Sequence, residues 1–479
     1  MIFNSQVRTQ NSGNFFSSNF AVKIKKFLNS PYYMALVSII ISLFWSLNIG
    51  FVSIGFLAFF FILTLIFCHE DPKPVLLPII SITLMFNDLL IQGFMFVLIC
   101  VAFVIVSLII YVVYKIKTER EHIKKGKLFW PYVLVLIANA LAGIIGHFES
   151  RVFFITLFLG LLLYFLYWFV LNFIKDYKDY FCKALIFLSI IVAIEVFVAY
   201  IKAEDILLTF QKKWVRIGTG EINGPALFIV SGVISCFYLA TQSKIKTKRI
   251  LYVVLALFLD LVLLITLSRI SLAIGAIATI IYLIVLFKQS NNKKPILIVS
   301  GCILAVVLVV CILFFERLTN IFSFYLKNMF GANGRIELWN WYLDLFKPFP
   351  IFGIGFITRD PSVTLGMGNG TYDQIMAHNT ILHYLICTGI VGLILNIPFY
   401  IQKYKIVCKK FNKYKLFILI NIICIEIASL VDIAGHANLF NMIILYLFIA
   451  FAEKDTESII NSSDTGECTQ IKLEEKESS

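Results

Sequence analysis

Long apolar runs, most of them 17 residues or more, recur from residue 32 to residue 452, and none alternates apolar and polar at period two. As a helix, a run of that length crosses about 30 Å of hydrocarbon. Backbone N–H and C=O groups in lipid must be satisfied within the segment, which favours helices where no barrel alternation is present. The pattern therefore predicts an all-α, polytopic membrane protein with about 14 spans: 32–48, 51–68, 75–88, 92–114, 129–146, 153–174, 183–201, 225–241, 250–266, 270–287, 295–315, 379–401, 416–432 and 437–452. The 75–88 run is short and carries Pro78, and only Leu267, Ser268 and Arg269 divide 250–266 from 270–287. The expected organisation is a cytoplasmic segment 1–30, a bundle of about 11 spans over 31–315 and a large extracytoplasmic loop 316–378. About three more spans over 379–452 and a polar cytoplasmic tail 453–479 follow. Residues 1–30 are polar and the first apolar run continues as a hairpin, so no cleavable signal peptide is expected.

Composition agrees with the pattern. The 479 residues are 60% hydrophobic and only 14% charged, against about a quarter charged in soluble domains. With residues 1–30 placed inside and the spans alternating, the inner segments hold 30 of the 41 Lys and Arg residues. That bias is the positive-inside rule and puts both termini in the cytoplasm of a multi-pass inner-membrane protein. The net charge of +13 then describes loops facing anionic lipid, and no nucleic-acid partner is implied.

The two cations are distributed differently. Inside, 27 of the 30 are Lys; outside, six of 11 are Arg: Arg151, Arg216, Arg269, Arg317, Arg335 and Arg359. Lysine is sufficient as a retention charge, whereas arginine presents a planar fork suited to bidentate phosphate contacts. None of the ten cysteines lies between 316 and 378, and there is no CxxC, HExxH or GxxxxGK[ST] pattern. No disulfide framework, metal or other cofactor is expected.

Two outer segments are longer than a turn requires, 202–224 and 316–378, and long ordered loops tend to be functional. In the second, "RLTNIFSFYLKNMF" reads as an amphipathic interfacial stretch, broken by "GANG" (331–334). "RIELWNWYLDLFK" (335–347) resumes a helix, with Ile336, Trp339, Leu343 and Phe346 expected along one face at headgroup depth. "PFP" stops it, "FGIGF" (352–356) supplies backbone with little side-chain bulk, and "AHN" (377–379) leads into the next span.

The order "NGRIELWNWYLDLFKPFPIFGIGF", then "AHNTILHYLICTGIVGLI", resembles the signature region of the O-antigen ligase and O-antigen polymerase family. Upstream, "RIGTGEINGP" (216–225) and "LSRISLAIG" (267–275) resemble the family's earlier arginine-bearing segments, so the resemblance covers about 210–400. Where the family often has Asn-Pro-Asn after the first arginine segment, this chain departs from it with Asn223, Gly224 and Pro225 after Arg216. The resemblance implies a membrane glycosyltransferase acting on polyprenyl-diphosphate-linked oligosaccharide, as donor and acceptor. A flippase and a chain-length regulator of the same pathway are candidate partners beside the membrane lipids.

The chemistry can be argued from the residues. Span parity puts Arg216, Arg269, Arg335 and His378 on the outer side, at the depth of a lipid diphosphate. Arg216, Arg269 and Arg335 are the expected diphosphate-binding groups, which would stabilise charge developing on the leaving group. Arg335 follows Gly334 at a predicted helix N-terminus, where free N–H groups already favour an anion. Histidine has a suitable pKa to accept or orient the proton of an attacking sugar hydroxyl. Thus His378, Arg335 and Arg269 are the expected catalytic set, with Asn379, Gly334, Gly353 and Gly355 supporting. Alternatively, His378, Asn379 and Thr380 only cap the following helix. Arg317 and Arg359 read as solvated charges, and His383 and His436 as packing or hydrogen-bonding groups. A ligase passing finished glycan to another acceptor is the second enzymatic reading. From other classes, a flippase or transporter would use Glu195, Asp260 and Glu426 within the membrane, although no internal repeat is visible. In a non-catalytic assembly partner the outer loop would serve only for docking.

Overall fold

The computed structural model describes residues 19–85, 94–119, 123–146, 150–203, 216–217, 220–221, 223–266, 268–289, 298, 301, 335–356, 377–431 and 441–458. Among these the chain is helical, apart from two-residue strands Arg216–Ile217 and Gly220–Glu221 paired antiparallel. Among the described residues, seven helices are long and apolar enough to cross a membrane, or eight if Asn19–Leu28 and Pro31–Ser46, bent by 65°, form one span. The sequence pattern predicts about 14. The difference comes partly from short helices: Val52–Phe67, Lys73–Leu84 and Phe129–Leu141 are apolar but shorter than a full crossing. The 295–315 run, Gly334 and most of the 316–378 loop lie outside the described residues.

The chain forms two compact units, one of residues 1–123 and 173–297, the other of 124–172 and 298–479. In the first, Asn223–Gln242 is the central helix, buried along nearly its whole length. It packs against Lys178–Ile201, Lys246–Thr266 and Arg269–Gln289. Small residues permit the approach, as they do generally between helices in lipid: a Cβ on Gly232 would lie 2.1 Å from the Ser189 hydroxyl. Nearby, that hydroxyl lies 2.7 Å from the Phe228 carbonyl oxygen, and the rings of Phe237 and Tyr282 stack at 6.0 Å. Pro31–Ser46 opens with Ser30 accepting from the Tyr33 N–H and Pro31 in the first turn, where its missing N–H costs no helix bond.

In the second unit, Thr380–Cys408 packs against Phe129–Leu141 and Lys413–Val431. Tyr384 donates to the Asn139 side-chain oxygen, and the Tyr132 ring meets Tyr446 edge-on at 5.5 Å. Polar groups gather at one end. Tyr167 donates to Glu453 at 2.5 Å, the Lys127 N–H donates to the same carboxylate at 3.0 Å, and Asn412 donates to Asp455 at 2.5 Å. Burial pushes the Glu453 carboxyl above its ordinary value, consistent with a desolvated acid held by neutral donors.

Candidate functional site

The most distinctive feature of the second unit is a break in the Thr380–Cys408 helix. Gly389 has φ +71° and ψ −174° inside it, a region open essentially to glycine alone. A continuous helix would bond the Ile390 and Val391 N–H groups to the carbonyls of Ile386 and Cys387. Here Ile390 N donates instead to Pro350 O at 2.9 Å and Val391 N to Ile351 O at 3.1 Å. The freed Ile386 and Cys387 carbonyls accept from the Ile354 and Gly355 N–H groups at 2.8 and 3.0 Å. Four backbone groups of the helix are thus satisfied by the 350–355 loop, the compensation that lipid demands of any interrupted helix.

This contact explains the glycines of "FGIGF". Gly353 and Gly355 have φ +70° and +91°. A Cβ on Gly353 would stand 2.4 Å from the Cys387 carbonyl group, and one on Gly389 would stand 2.2 Å from the Ile351 oxygen. The loop is held on its other side as well, since the Gly143 N–H donates to Phe352 O at 3.0 Å.

The same loop fixes the start of the helix. Tyr342, Ile354, Ala377 and Ile386 form one buried cluster, flanked by Leu338, Trp341, Leu345, Phe346, Phe349 and Leu382. Trp339 donates its indole N–H to the Ala377 carbonyl at 2.7 Å, beside His378. The Asn379 side-chain oxygen accepts from the Leu382 N–H at 3.0 Å, and its amide donates to Leu430 O at 3.0 Å. Asn379 is therefore the helix cap, and His378 lies one residue outside it. His378 is partly exposed and has φ +46°, uncommon for a residue with a Cβ and often a mark of functional constraint.

Arg335 begins the helix Arg335–Phe346, as its predicted position required, and Trp339 follows one turn later. Trp339 and Leu343 share one face, as expected, whereas Phe346 belongs to the packed face. That face also carries Leu338, Tyr342 and Leu345, whereas Trp339 and Leu343 line an open cavity of about 440 Å³ with Asn340, Asn379, Ile381, Leu382 and Leu385. The Trp339 indole N–H finds its partner in the Ala377 carbonyl, and Tyr342 takes the place in the buried cluster. Burial raises the Tyr342 hydroxyl well above the usual tyrosine range, and that hydroxyl has no hydrogen-bond partner among the described residues.

His383 is not at the site surface; its ring meets Tyr342 edge-on at 6.5 Å and Cys387 Sγ lies 3.7 Å from Nε2. The first unit holds the other two arginines. Arg269 is exposed at the first turn of Arg269–Gln289, after a tight turn in which the Ser268 and Ser271 hydroxyls lie 3.0 Å apart. Arg216 pairs in register with Glu221 in the strand hairpin. Two of the three carboxylates named for transport have side-chain partners, and Glu195 is buried in the first unit. Asp260 accepts from Thr279 at 2.8 Å, and Glu426 is ion-paired with Lys403 and accepts from Tyr404. Sequence reasoning missed Gly389, although a glycine within a long apolar run was visible in "CTGIVG".

These features describe a multi-pass helical membrane protein whose broken helix meets a glycine-bearing loop beside a partly exposed histidine. Residues 251–397 match the O-Antigen ligase family. The resemblance carried by the motifs is thereby shown over this stretch, and the chain is similar there to membrane enzymes of the O-antigen ligase and polymerase kind. The transporter reading finds no support in the match. No curated protein matches the chain.

Proposed function

We propose that the protein is a membrane glycosyltransferase that polymerises lipid-linked oligosaccharide repeat units into capsular or O-antigen polysaccharide on the outer face of the cytoplasmic membrane. The growing glycan leaves its polyprenyl diphosphate and is joined to a hydroxyl of the next lipid-linked unit. The observation that carries this reading is the placement of His378: outside the cap formed by Asn379, beside the Ala377 carbonyl that Trp339 holds, and within a segment matching the O-antigen ligase family.

In this reading His378 accepts or orients the hydroxyl proton of the acceptor sugar. Arg335 sits at a helix N-terminus, whose free N–H groups favour the donor diphosphate. Arg269 and Arg216 are further diphosphate-binding groups, each acting through a guanidinium fork. Asn379 and the glycines hold the histidine in place without touching substrate. The termini face the cytoplasm, and the partners are the lipid-linked donor and acceptor, with a flippase and a chain-length regulator of the same pathway.

The test is the lipid-linked glycan profile of a deletion strain. Accumulation of single repeat units on lipid supports a polymerase. Long chains left on the lipid would replace that reading with a ligase, and an unchanged profile would remove both.

A further inference from the structure

The open cavity beside Trp339, of about 440 Å³, lies within the size range of small-molecule sites, about 300–1,000 Å³. It meets both chain neighbours of His378: the Trp339 indole in its wall donates to the Ala377 carbonyl at 2.7 Å, and Asn379 is itself a wall residue. The same bond commits the indole N–H, so the partly exposed ring is fixed and offers a ligand only its face and edge. The Asn379 amide is spent within the protein, on the Leu382 N–H and the Leu430 carbonyl. Asn340 is exposed, and its amide can both donate and accept. The rest is apolar, with Leu343, Leu382 and Leu385, and no charged residue stands among the described walls.

An anion gains no ion pair from such walls, and an acyl chain leaves the amide unused. A pyranose ring uses all of them. One of its faces presents C–H groups, which the negative face of an aromatic ring attracts. Its hydroxyls point outward from the rim, where a side-chain amide can donate to them and accept from them. The chemistry of transfer decides which sugar fits. The reacting carbon of the donor is bonded directly to the diphosphate, so that ring must lie beside the groups that hold the anion. The attacking hydroxyl of the acceptor can stand on a sugar remote from that unit's own diphosphate, and it must reach His378. An uncharged cavity next to His378 suits the acceptor.

We infer that this cavity is the acceptor-sugar subsite: Trp339 stacks on the sugar that carries the attacking hydroxyl, Asn340 hydrogen-bonds its rim, and the hydroxyl is presented to His378. The inference rests on the reading of the protein as a glycosyltransferase with His378 as its proton-handling group, and adds what recognises the acceptor. Trp339 then has two tasks, since the bond that fixes its ring also holds the Ala377 carbonyl next to the histidine.

The experiment uses the purified full chain in phospholipid nanodiscs and, as probe, the repeat-unit oligosaccharide freed of its lipid diphosphate. Hydroxyl-radical footprinting of the wild-type protein, resolved to single residues by mass spectrometry, should show Trp339 protected by the oligosaccharide. Trp341, which packs against the buried cluster instead, should be unchanged, and this arm is independent of how any variant folds. Affinity for the same probe should fall about tenfold or more in Trp339→Leu and about two- to tenfold in Asn340→Ala. Trp339→Phe, which keeps a ring but loses the indole N–H, should retain most of it. Equal losses in Trp339→Phe and Trp339→Leu would leave Trp339 only the task of holding Ala377 and overturn the inference. So would full affinity in Trp339→Leu, equal protection of Trp341, or a Trp339 that phospholipid already covers and the sugar leaves as it was. Failure of the proposed function looks different: the oligosaccharide protects Trp339, yet no glycan is transferred. Transfer to an acceptor that leaves Trp339 unprotected would sink the subsite alone.

Discussion

Gly389→Ala isolates the contact that organises the site. Gly389 occupies a backbone region that costs a residue with a Cβ about 1–3 kcal/mol. The new Cβ would also stand 2.2 Å from the Ile351 carbonyl oxygen and 2.5 Å from the Gly353 nitrogen. These are backbone atoms, so they cannot swing aside as a side chain can. The alternative to enduring the clash is a straightened helix. The Ile390 and Val391 amides then regain partners within the helix, while the loop loses its bonds to Ile386 and Cys387. Two backbone bonds at about 0.5–1.5 kcal/mol each set that route at about 1–3 kcal/mol. Either way, opening of the 350–355 loop becomes easier by about 1–3 kcal/mol, or about five- to 150-fold. Hydrogen exchange followed by mass spectrometry in nanodiscs reads this directly. Peptides covering Ile354 and Gly355 should exchange about ten- to a hundredfold faster, whereas Ile390 and Val391 stay protected. Gly301→Ala, where a Cβ meets nothing within 4 Å, should leave the profile unchanged. Undiminished protection at Ile354 and Gly355 in Gly389→Ala would refute the docking.

Three further outcomes are expected. His378→Ala should lower polymer formation by about 100- to 10,000-fold at normal protein level, and His378→Asn should fail equally, because Asn379 already provides the cap; near-wild-type polymer from His378→Asn would end the catalytic role. Arg269→Lys and Arg335→Lys should each lose most activity and bind lipid diphosphate more weakly, with Arg216→Lys following them and Arg317→Lys and Arg359→Lys nearly silent. Full activity with lysine at both Arg269 and Arg335 would mean that charge alone suffices. A variant retaining only Cys408, which is exposed, should react with a membrane-impermeant thiol reagent only after permeabilisation, while a cysteine at Ser362 should react in intact cells. Labelling of Cys408 in intact cells would reverse the orientation.

Much of the architecture was legible because burial in lipid leaves so clear a trace in sequence. The run expected at 92–114 is the helix Phe94–Glu119, and that at 225–241 is Asn223–Gln242. The helix start expected at Arg335, after Gly334, is where the helix Arg335–Phe346 begins. What stayed hidden depends on contacts between segments far apart in the chain. Nothing local to "CTGIVG" says that its helix bonds to residues 350–355, and nothing in "RIELWNWYLDLF" ranks Tyr342 above Trp339 for the core. The polarity of Asn379 was visible, but two readings, cap and catalyst support, were open until its bonds to Leu382 and Leu430 separated it from His378.

The central claim is tested most directly by reconstitution. Purified protein in nanodiscs, given the native lipid-linked repeat unit as sole substrate, should produce a ladder of longer lipid-linked glycans and release polyprenyl diphosphate in step with each added unit. Arg335→Lys and His378→Ala in parallel should leave the substrate as single units. A wild-type preparation that is folded, binds the substrate and yet returns it unextended, with no diphosphate released even when other glycan acceptors are supplied, would contradict the account.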